Sequence, residues 1–230
     1  ELGIDASHAR RITGGTTSTY LYLMDEKGEM ALAVSDMEIC KKITPTYLSS
    51  NLNLLQNAQV VVTDTNIPEE SLIYLAENCN VPLFCDPVST IKAGKLRPIL
   101  GRIHTLKPNK LEAELLSGVK IETMEDVEKA ADKLLEMGVH RLFISLGADG
   151  VYAAMDDQRM HLPNLPGTMV NTTGCGDASM AAIGWAYLEG MGLRETALAG
   201  LAAGSIAMES AETINPAMSA TAIKNRMNII

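Results

Sequence analysis

Apolar residues follow two rhythms along this chain. Before residue 44 they alternate with polar ones. Residues 16–23 read Thr-Thr-Ser-Thr-Tyr-Leu-Tyr-Leu and have strand composition, Asp25-Glu26-Lys27-Gly28 reads as a turn, and residues 29–34 read as a returning strand. The pattern predicts a β-hairpin set apart from the rest of the chain. From Thr44 onward, short continuous apolar runs alternate with amphipathic stretches. The runs predict strands over 59–63, 81–85, 103–106 and 141–146, with two shorter strands near 151–155 and 158–162. Between and after them the spacing predicts helices over 45–56, 68–78, 110–116, 123–137, 177–189, 194–210 and 217–228, the first capped by Thr44 with Pro45 at its first position. Apolar strands separated by helices indicate an α/β fold, a mostly parallel sheet covered on both faces. The chain divides into a hairpin region, 1–43, and an α/β domain, 44–230. In such sheets ligands bind beyond the carboxyl ends of the strands.

Polar residues gather at those strand ends. Asp86-Pro87 closes the 81–85 run, Lys107-Pro108-Asn109 closes 103–106, and Ser145 with Gly147-Ala148-Asp149-Gly150 closes 141–146. Each has a local explanation: Asn109 caps a helix, Glu112 completes its first turn, and the Gly147–Gly150 string is a tight turn. Together they line one rim of the sheet.

The most informative string is Asn171-Thr172-Thr173-Gly174-Cys175-Gly176-Asp177, which runs into a helix rich in small residues. Two glycines around one small residue let the backbone turn sharply and expose its N–H groups where a helix begins. Dipole and bare donors converge there on an anion, and phosphate is the usual one. A carboxylate at the same spot makes sense as a base taking a proton from a hydroxyl that attacks phosphorus. The helix N-terminus is expected to keep Asp177 ionised.

Bulk composition narrows the partners. A net charge of −9 with no basic cluster argues against nucleic acid, while one local site can still take a small anion. The four cysteines, Cys40, Cys79, Cys85 and Cys175, have no metal-ligand spacing and read as reduced thiols of a cytoplasmic protein. No apolar run reaches membrane-spanning length, and no signal-peptide pattern opens the chain.

The 171–177 string resembles the Asp-Thr-x-Gly-Ala-Gly-Asp signature of the ribokinase-like (PfkB) sugar and nucleoside kinases, and Asn109-Lys110-Leu111-Glu112 resembles that family's Asn-x-x-Glu motif. Ser145–Gly150 is similar to its nucleotide loop, residues 198–209 to its adenine-lining helix, Asp86-Pro87 to its Asp-Pro turn with Lys92 as a nearby basic residue, and hairpin 16–36 to its lid. The resemblance implies a ribokinase-like three-layer fold and an ATP-dependent kinase. Asp177 would be the catalytic base, and Gly174, Cys175 and Gly176 the anion hole. ATP would be held by Lys107, Asn109, Ser145, Gly147, Ala148, Gly150, Leu201, Gly204 and Ser205. Glu112 would act on Mg2+ through bound water. Thr17, Thr19, Asp36 and Asp86 would join Asp177 on the acceptor, and the hairpin would join two copies into a homodimer.

Longer strings, including residues 17–21, 86–89 and 103–109, resemble the family members that phosphorylate the 5′-hydroxyl of pseudouridine, which implies that nucleoside as acceptor. Asn171 and Thr173 stand where a monovalent cation such as K+ is often held, although Asn171 replaces an Asp. Cys175 replaces the usual Ala. The family's opening strand with its acceptor-binding Asp and Gly-Gly segment has no counterpart in these 230 residues, so poor turnover is expected of them alone.

Overall fold

A computed structural model describes residues 3–24 and 30–228. The hairpin forms its own two-stranded antiparallel sheet, β1 (Thr19–Met24) against β2 (Met30–Asp36), with Thr19 opposite Asp36 and Leu21 opposite Val34. It pairs with no strand of the main sheet, as its alternating pattern predicts. The turn expected at Asp25–Gly28 lies outside the described residues.

The chain then continues through α1 (Pro45–Ser50), α2 (Leu52–Gln56), β3 (Val61–Asp64), α3 (Glu69–Asn78), β4 (Leu83–Asp86) and α4 (Thr90–Ala93). Next come β5 (Thr105–Leu106), α5 (Lys110–Ser117), α6 (Met124–Glu136), β6 (Arg141–Ser145), β7 (Val151–Met155), β8 (Gln158–Leu162), α7 (Cys175–Leu188), α8 (Leu193–Met208) and α9 (Ala220–Met227). Thr44 caps α1 by accepting the Tyr47 N–H at 3.3 Å. The single helix expected over 45–56 is broken at Asn51. There the Asn51 side-chain amide donates to the Tyr47 carbonyl at 2.9 Å and the backbone leaves the helical region. A 3₁₀ segment, Gly94–Arg102, follows α4 and buries Leu96, Ile99 and Leu100; its two glycines and Pro98 conceal it in the sequence.

The main sheet has the order β3-β4-β5-β6-β7-β8, its first four strands parallel and its last two antiparallel. Its inner strands, β4 to β7, are largely buried because both faces are covered, and successive residues serve opposite cores. Leu83, Cys85, Leu142, Ile144, Tyr152 and Ala154 pack with Leu72, Leu100, Leu116 and Leu134 on one face. Phe84, Phe143, Val151 and Ala153 pack with Met180, Ile183 and Leu198 of α7 and α8 on the other. This is the period-two alternation of a strand, read from two sides. Small residues then let α7 and α8 approach closely: a Cβ on Gly200 would sit 3.2 Å from the Ile183 side chain, and Ser179 Oγ donates to the Gly200 carbonyl at 2.7 Å.

Candidate active site

The carboxyl ends of β3 to β6 and the start of α7 meet at one place. Gly174 is the N-cap of α7 with φ +88°, a left-handed conformation that suits glycine. A Cβ there would stand 2.5 Å from the Thr213 carbonyl oxygen. The helix therefore starts at Cys175, two residues before the start expected from the sequence, because Gly174 alone makes the turn. Gly176 and Asp177 lie in the first turn, where the helix has no carbonyl to offer their N–H groups. The Cys175 N–H donates weakly to the Thr172 carbonyl at 3.3 Å, so an anion there would meet chiefly the N–H groups of the two residues after it.

Lys107 comes to the same point from the end of β5. Its ammonium is 2.9 Å from Asp86 Oδ2, both side chains are largely buried, and it lies 3.5 Å from where a Gly176 Cβ would be. Asp86 is held twice, since its Oδ1 also accepts the Val88 N–H at 2.9 Å. Val88 makes that bond only by adopting φ +64°, a conformation a β-branched residue seldom takes and one that marks stored strain. Glu112 forms a reciprocal cap with Asn109: the Asn109 N–H donates to Glu112 Oε2 at 2.8 Å, and the Glu112 N–H to Asn109 Oδ1 at 2.9 Å. Burial raises the Glu112 carboxyl; the Asn109 N–H opposes that, Asp86 adds to it and Lys107 opposes it.

Asp177 is exposed overall, yet the protein around its carboxyl desolvates it and raises its pKa, with Asp86 and then Asp64 pushing the same way against Lys107. The helix terminus expected to keep it ionised is thus opposed by desolvation and by two neighbouring acids.

Next to this charged centre is a cleft of about 400 Å³. One wall is the β6–β7 connection, Ser145, Gly147, Ala148 and Gly150, and the other is Gly200, Leu201, Gly204 and Ser205 of α8, with Lys107, Cys175 and Gly176 at one end. All the residues expected to hold ATP line it except Asn109, which is exposed at the rim and bridges to Ser145. The Ser205 hydroxyl is already engaged, donating to the Pro166 carbonyl at 3.0 Å and accepting from Arg226 at 2.6 Å.

The sequence reading missed Asn164, which lines the cleft and holds the loop by donating to the Gly147 and Ala148 carbonyls at 2.8 and 3.1 Å. It also missed Asp64, which pairs in register with Asp86 across β3 and β4. An apolar run ending in Asp, the signal that marked Asp86, was present there too.

Of the residues expected on the acceptor, those of the hairpin are not brought to the cleft. Thr17 and Thr19 are exposed on the hairpin, and the Asp36 carboxylate accepts the Glu38 N–H at 3.0 Å. Ser35 and Met37, beside it, line a second cavity of about 500 Å³ with Asn66, Lys92 and Lys95. Asn171 is buried, its Oδ1 accepting the Thr173 N–H at 3.0 Å and its amide donating to the Ala211 carbonyl at 3.3 Å.

Among the described residues, three acids, histidines or cysteines never come together as a metal cage. The donor set therefore suits an ion carried in on phosphate and water, with Glu112 at hand, rather than one held by protein alone. All four cysteines are free thiols, and burial raises Cys175. No helix among the described residues is long and apolar enough to cross a membrane.

A mostly parallel sheet sandwiched by helices, with a glycine-turned helix start facing a cleft, is the arrangement of the ribokinase-like fold. The chain belongs to the pfkB family of carbohydrate kinases, whose model matches residues 1–220. It is 41% identical over 210 residues to pseudouridine kinase of Escherichia coli strain K12, covering 90% of this chain and 67% of that protein. It resembles the structure of a putative sugar kinase from Clostridium perfringens with a TM-score of 0.81 and 31% identity, covering 94% of this chain and 68% of the other. Ribokinase of Arabidopsis thaliana, solved with ribose and ATP, shares the fold with a TM-score of 0.80 at 23% identity, covering 93% and 70%. The chain thus spans about two thirds of each of these proteins.

Proposed function

We propose that this chain carries the catalytic half of a cytoplasmic, ATP-dependent nucleoside kinase that phosphorylates the 5′-hydroxyl of pseudouridine. The observation that carries the reading is the meeting of Asp177, the α7 N-terminus and the buried Lys107–Asp86 pair at the mouth of the cleft. ATP lies in the cleft with its phosphates directed at Gly176 and Asp177. Asp177 takes the proton of the attacking hydroxyl, and its raised pKa suits a base that must hold that proton briefly. The Gly176 and Asp177 N–H groups and the Lys107 ammonium stabilise charge on the transferring phosphoryl, so the chemistry is positioning plus electrostatics.

Magnesium, carried on the phosphates, would supply charge neutralisation there, with Glu112 and Asn109 orienting its water. A K+ ion near Asn171 and Thr173 is a lesser part of the proposal. Pseudouridine as acceptor rests on the 41% identity to the Escherichia coli enzyme. Thr17, Thr19, Asp36 and Asp86 would reach it once the hairpin closes. The free thiols support a reducing compartment. The exposed apolar residues of the hairpin, Leu21, Leu23, Leu32 and Val34, support a homodimer through it.

The test is phosphoryl transfer from ATP labelled at its γ-phosphate to pseudouridine, uridine, inosine and ribose. Preferred transfer to pseudouridine is expected. Faster transfer to ribose would reassign the acceptor to a simple sugar, and no transfer to any of them together with no binding of ATP would refute the kinase reading.

A further inference from the structure

Beyond the cleft, one line of polar contacts leads from the second cavity toward Asp177. Lys92 Nζ donates to Asn66 Oδ1 at 2.6 Å. Asn66 Nδ2 donates to Asp64 Oδ2 at 2.6 Å, and its backbone N–H to Asp64 Oδ1 at 2.8 Å. The order of this line is fixed by chemistry: an ammonium can only donate and a carboxylate only accept, so the amide between them has one orientation. Asp64 in turn stands beside Asp86 in the β3–β4 register, Asp86 pairs with Lys107, and Lys107 lies against Gly176, the residue before Asp177.

Lys92 makes no salt bridge of its own among the described residues, and its hydrogen-bonded link to Asp64 runs through Asn66. All three residues are half-buried, where charges are screened less than at the open surface. The kinase chemistry above uses neither Lys92 nor Asn66.

We propose that Lys92 and Asn66 are positioning residues that lock Asp64 at the strand end and thereby set the charge balance around Asp177. Asp64 is the outermost of the acids there, and Lys92 is its counterweight, applied through a neutral amide that also fixes where the carboxylate points. The inference deepens the kinase reading and rests on it for its biological meaning. The charged groups facing Asp177 are then Asp86 from β4, Lys107 from the end of β5 and Asp64 from β3, with Glu112 of α5 behind Asp86 and Lys107. Lys95 flanks the line, donating to the Thr65 and Ile67 carbonyls at 2.8 and 3.0 Å.

The proposal makes two variants act in opposite directions. Asp64→Asn removes a negative charge and should lower the protonation midpoint of Asp177. Lys92→Met removes the counterweight and should raise it. Each shift should be roughly 0.3–1 pH units, the range for unit charges about 10 Å apart in a partly screened site. Lys92→Arg keeps the charge and should restore the wild-type midpoint, whereas Asn66→Ala leaves both charges in place and should shift it less than Lys92→Met.

The midpoint is read by carbon-13 NMR of aspartate-labelled protein, with Asp177→Asn assigning the resonance and thermal melting confirming that each variant folds. The same shifts should appear in the acid limb of the kcat/KM profile for phosphoryl transfer. Opposite shifts are the expected result. Equal shifts, or lower melting temperatures with an unmoved midpoint, would show a merely structural brace and overturn the proposal. Because the NMR midpoint needs no turnover, a wild type that neither binds ATP nor transfers phosphate would refute the kinase reading and leave these shifts to decide the charge balance.

Discussion

Replacing Gly174 by Ala should damage both stability and turnover, and a second glycine in the same site supplies the control. Gly147 and Gly174 both have positive φ, +62° and +88°. An L-residue in that region costs roughly 1–2 kcal/mol, partly offset by about 0.4–1 kcal/mol from a less flexible unfolded chain. At Gly147 nothing lies within 4 Å of the added Cβ, so that small net cost is the whole effect. At Gly174 the Cβ would meet the Thr213 carbonyl oxygen at 2.5 Å, and carbon atoms of this kind essentially never approach within 3.0 Å. The start of α7 or the segment at Thr213 must therefore retreat by about 0.5 Å, the difference between those distances, and crowding of this kind adds about 1–3 kcal/mol.

Gly174→Ala should thus cost roughly 2–4 kcal/mol against about 1 kcal/mol for Gly147→Ala. For a chain of this size that difference lowers Tm by several degrees more. The same retreat moves the Gly176 and Asp177 N–H groups and the Asp177 carboxyl off their target; since a 1 Å misplacement can cost about a hundredfold in rate, half of that should cost roughly tenfold. Thermal melting and steady-state phosphoryl transfer on the two variants side by side are the assays. Equal melting temperatures together with wild-type turnover in Gly174→Ala would refute the argument that Thr213 and the helix start are rigidly opposed.

Four further outcomes are expected. Asp177→Asn should leave ATP affinity nearly unchanged in a calorimetric titration and cut kcat by about two to four orders of magnitude; wild-type kcat would remove it as the base. Because the Asp177 carboxyl is raised, the base should be lost to protonation as pH falls through a midpoint above the ordinary aspartate range, and Asp86→Asn should move that limb of the pH–rate profile downward; an unmoved limb would refute the coupling. Glu112→Gln keeps an acceptor for the Asn109 N–H and should melt like wild type while needing roughly tenfold more Mg2+ for half-maximal rate; an unchanged Mg2+ requirement would exclude Glu112 from the ion's surroundings. Leu21→Lys with Val34→Glu, an opposed cross-strand pair, should turn the proposed dimer into a monomer by light scattering, and a monomeric wild type would refute that dimer.

Most of the architecture could be read in the sequence because its signals are local. Strands with continuous apolar runs, the Thr44 cap and the reciprocal Asn109–Glu112 cap each depend on a few neighbouring residues. The rest depends on contacts far apart in the chain. Gly174 reads as one more turn glycine until Thr213 is seen against it. Asn164 lies in an irregular stretch with no periodicity, and only the fold brings it under the Gly147 loop. Asp64 carried a strand-end signal as good as that of Asp86, but its partners, Asn66 and Lys92, are separated by an intervening helix and strand. The acceptor side is the least legible, since Thr17, Thr19 and Asp36 sit on a hairpin whose sheet is separate from the one that carries the cleft.

The seam between α7 and α8 explains why cleft-lining residues here look like packing residues. Gly204 lines the cleft, yet a Cβ on it would also press on Ser179 Oγ at 3.0 Å, and Gly200 is closed in the same way by Ile183. Small residues bring the two helices together, and that approach places the first turn of α7 beside the cleft wall. Enlarging Gly204 should therefore weaken nucleotide binding and separate the helices in one step, with both effects arising from the same displaced Ser179. The ion pair at the cleft end follows a similar logic. Lys107 is buried against Asp86 whether or not phosphate is near, so its charge is positioned before any ligand arrives. A preset cation of this kind needs no reorganisation when charge develops on the phosphoryl group, which is where electrostatic catalysis gains most. The strain at Val88 fits the same requirement: a turn that is unfavourable by itself is retained because it fixes Asp86, and Asp86 fixes the lysine.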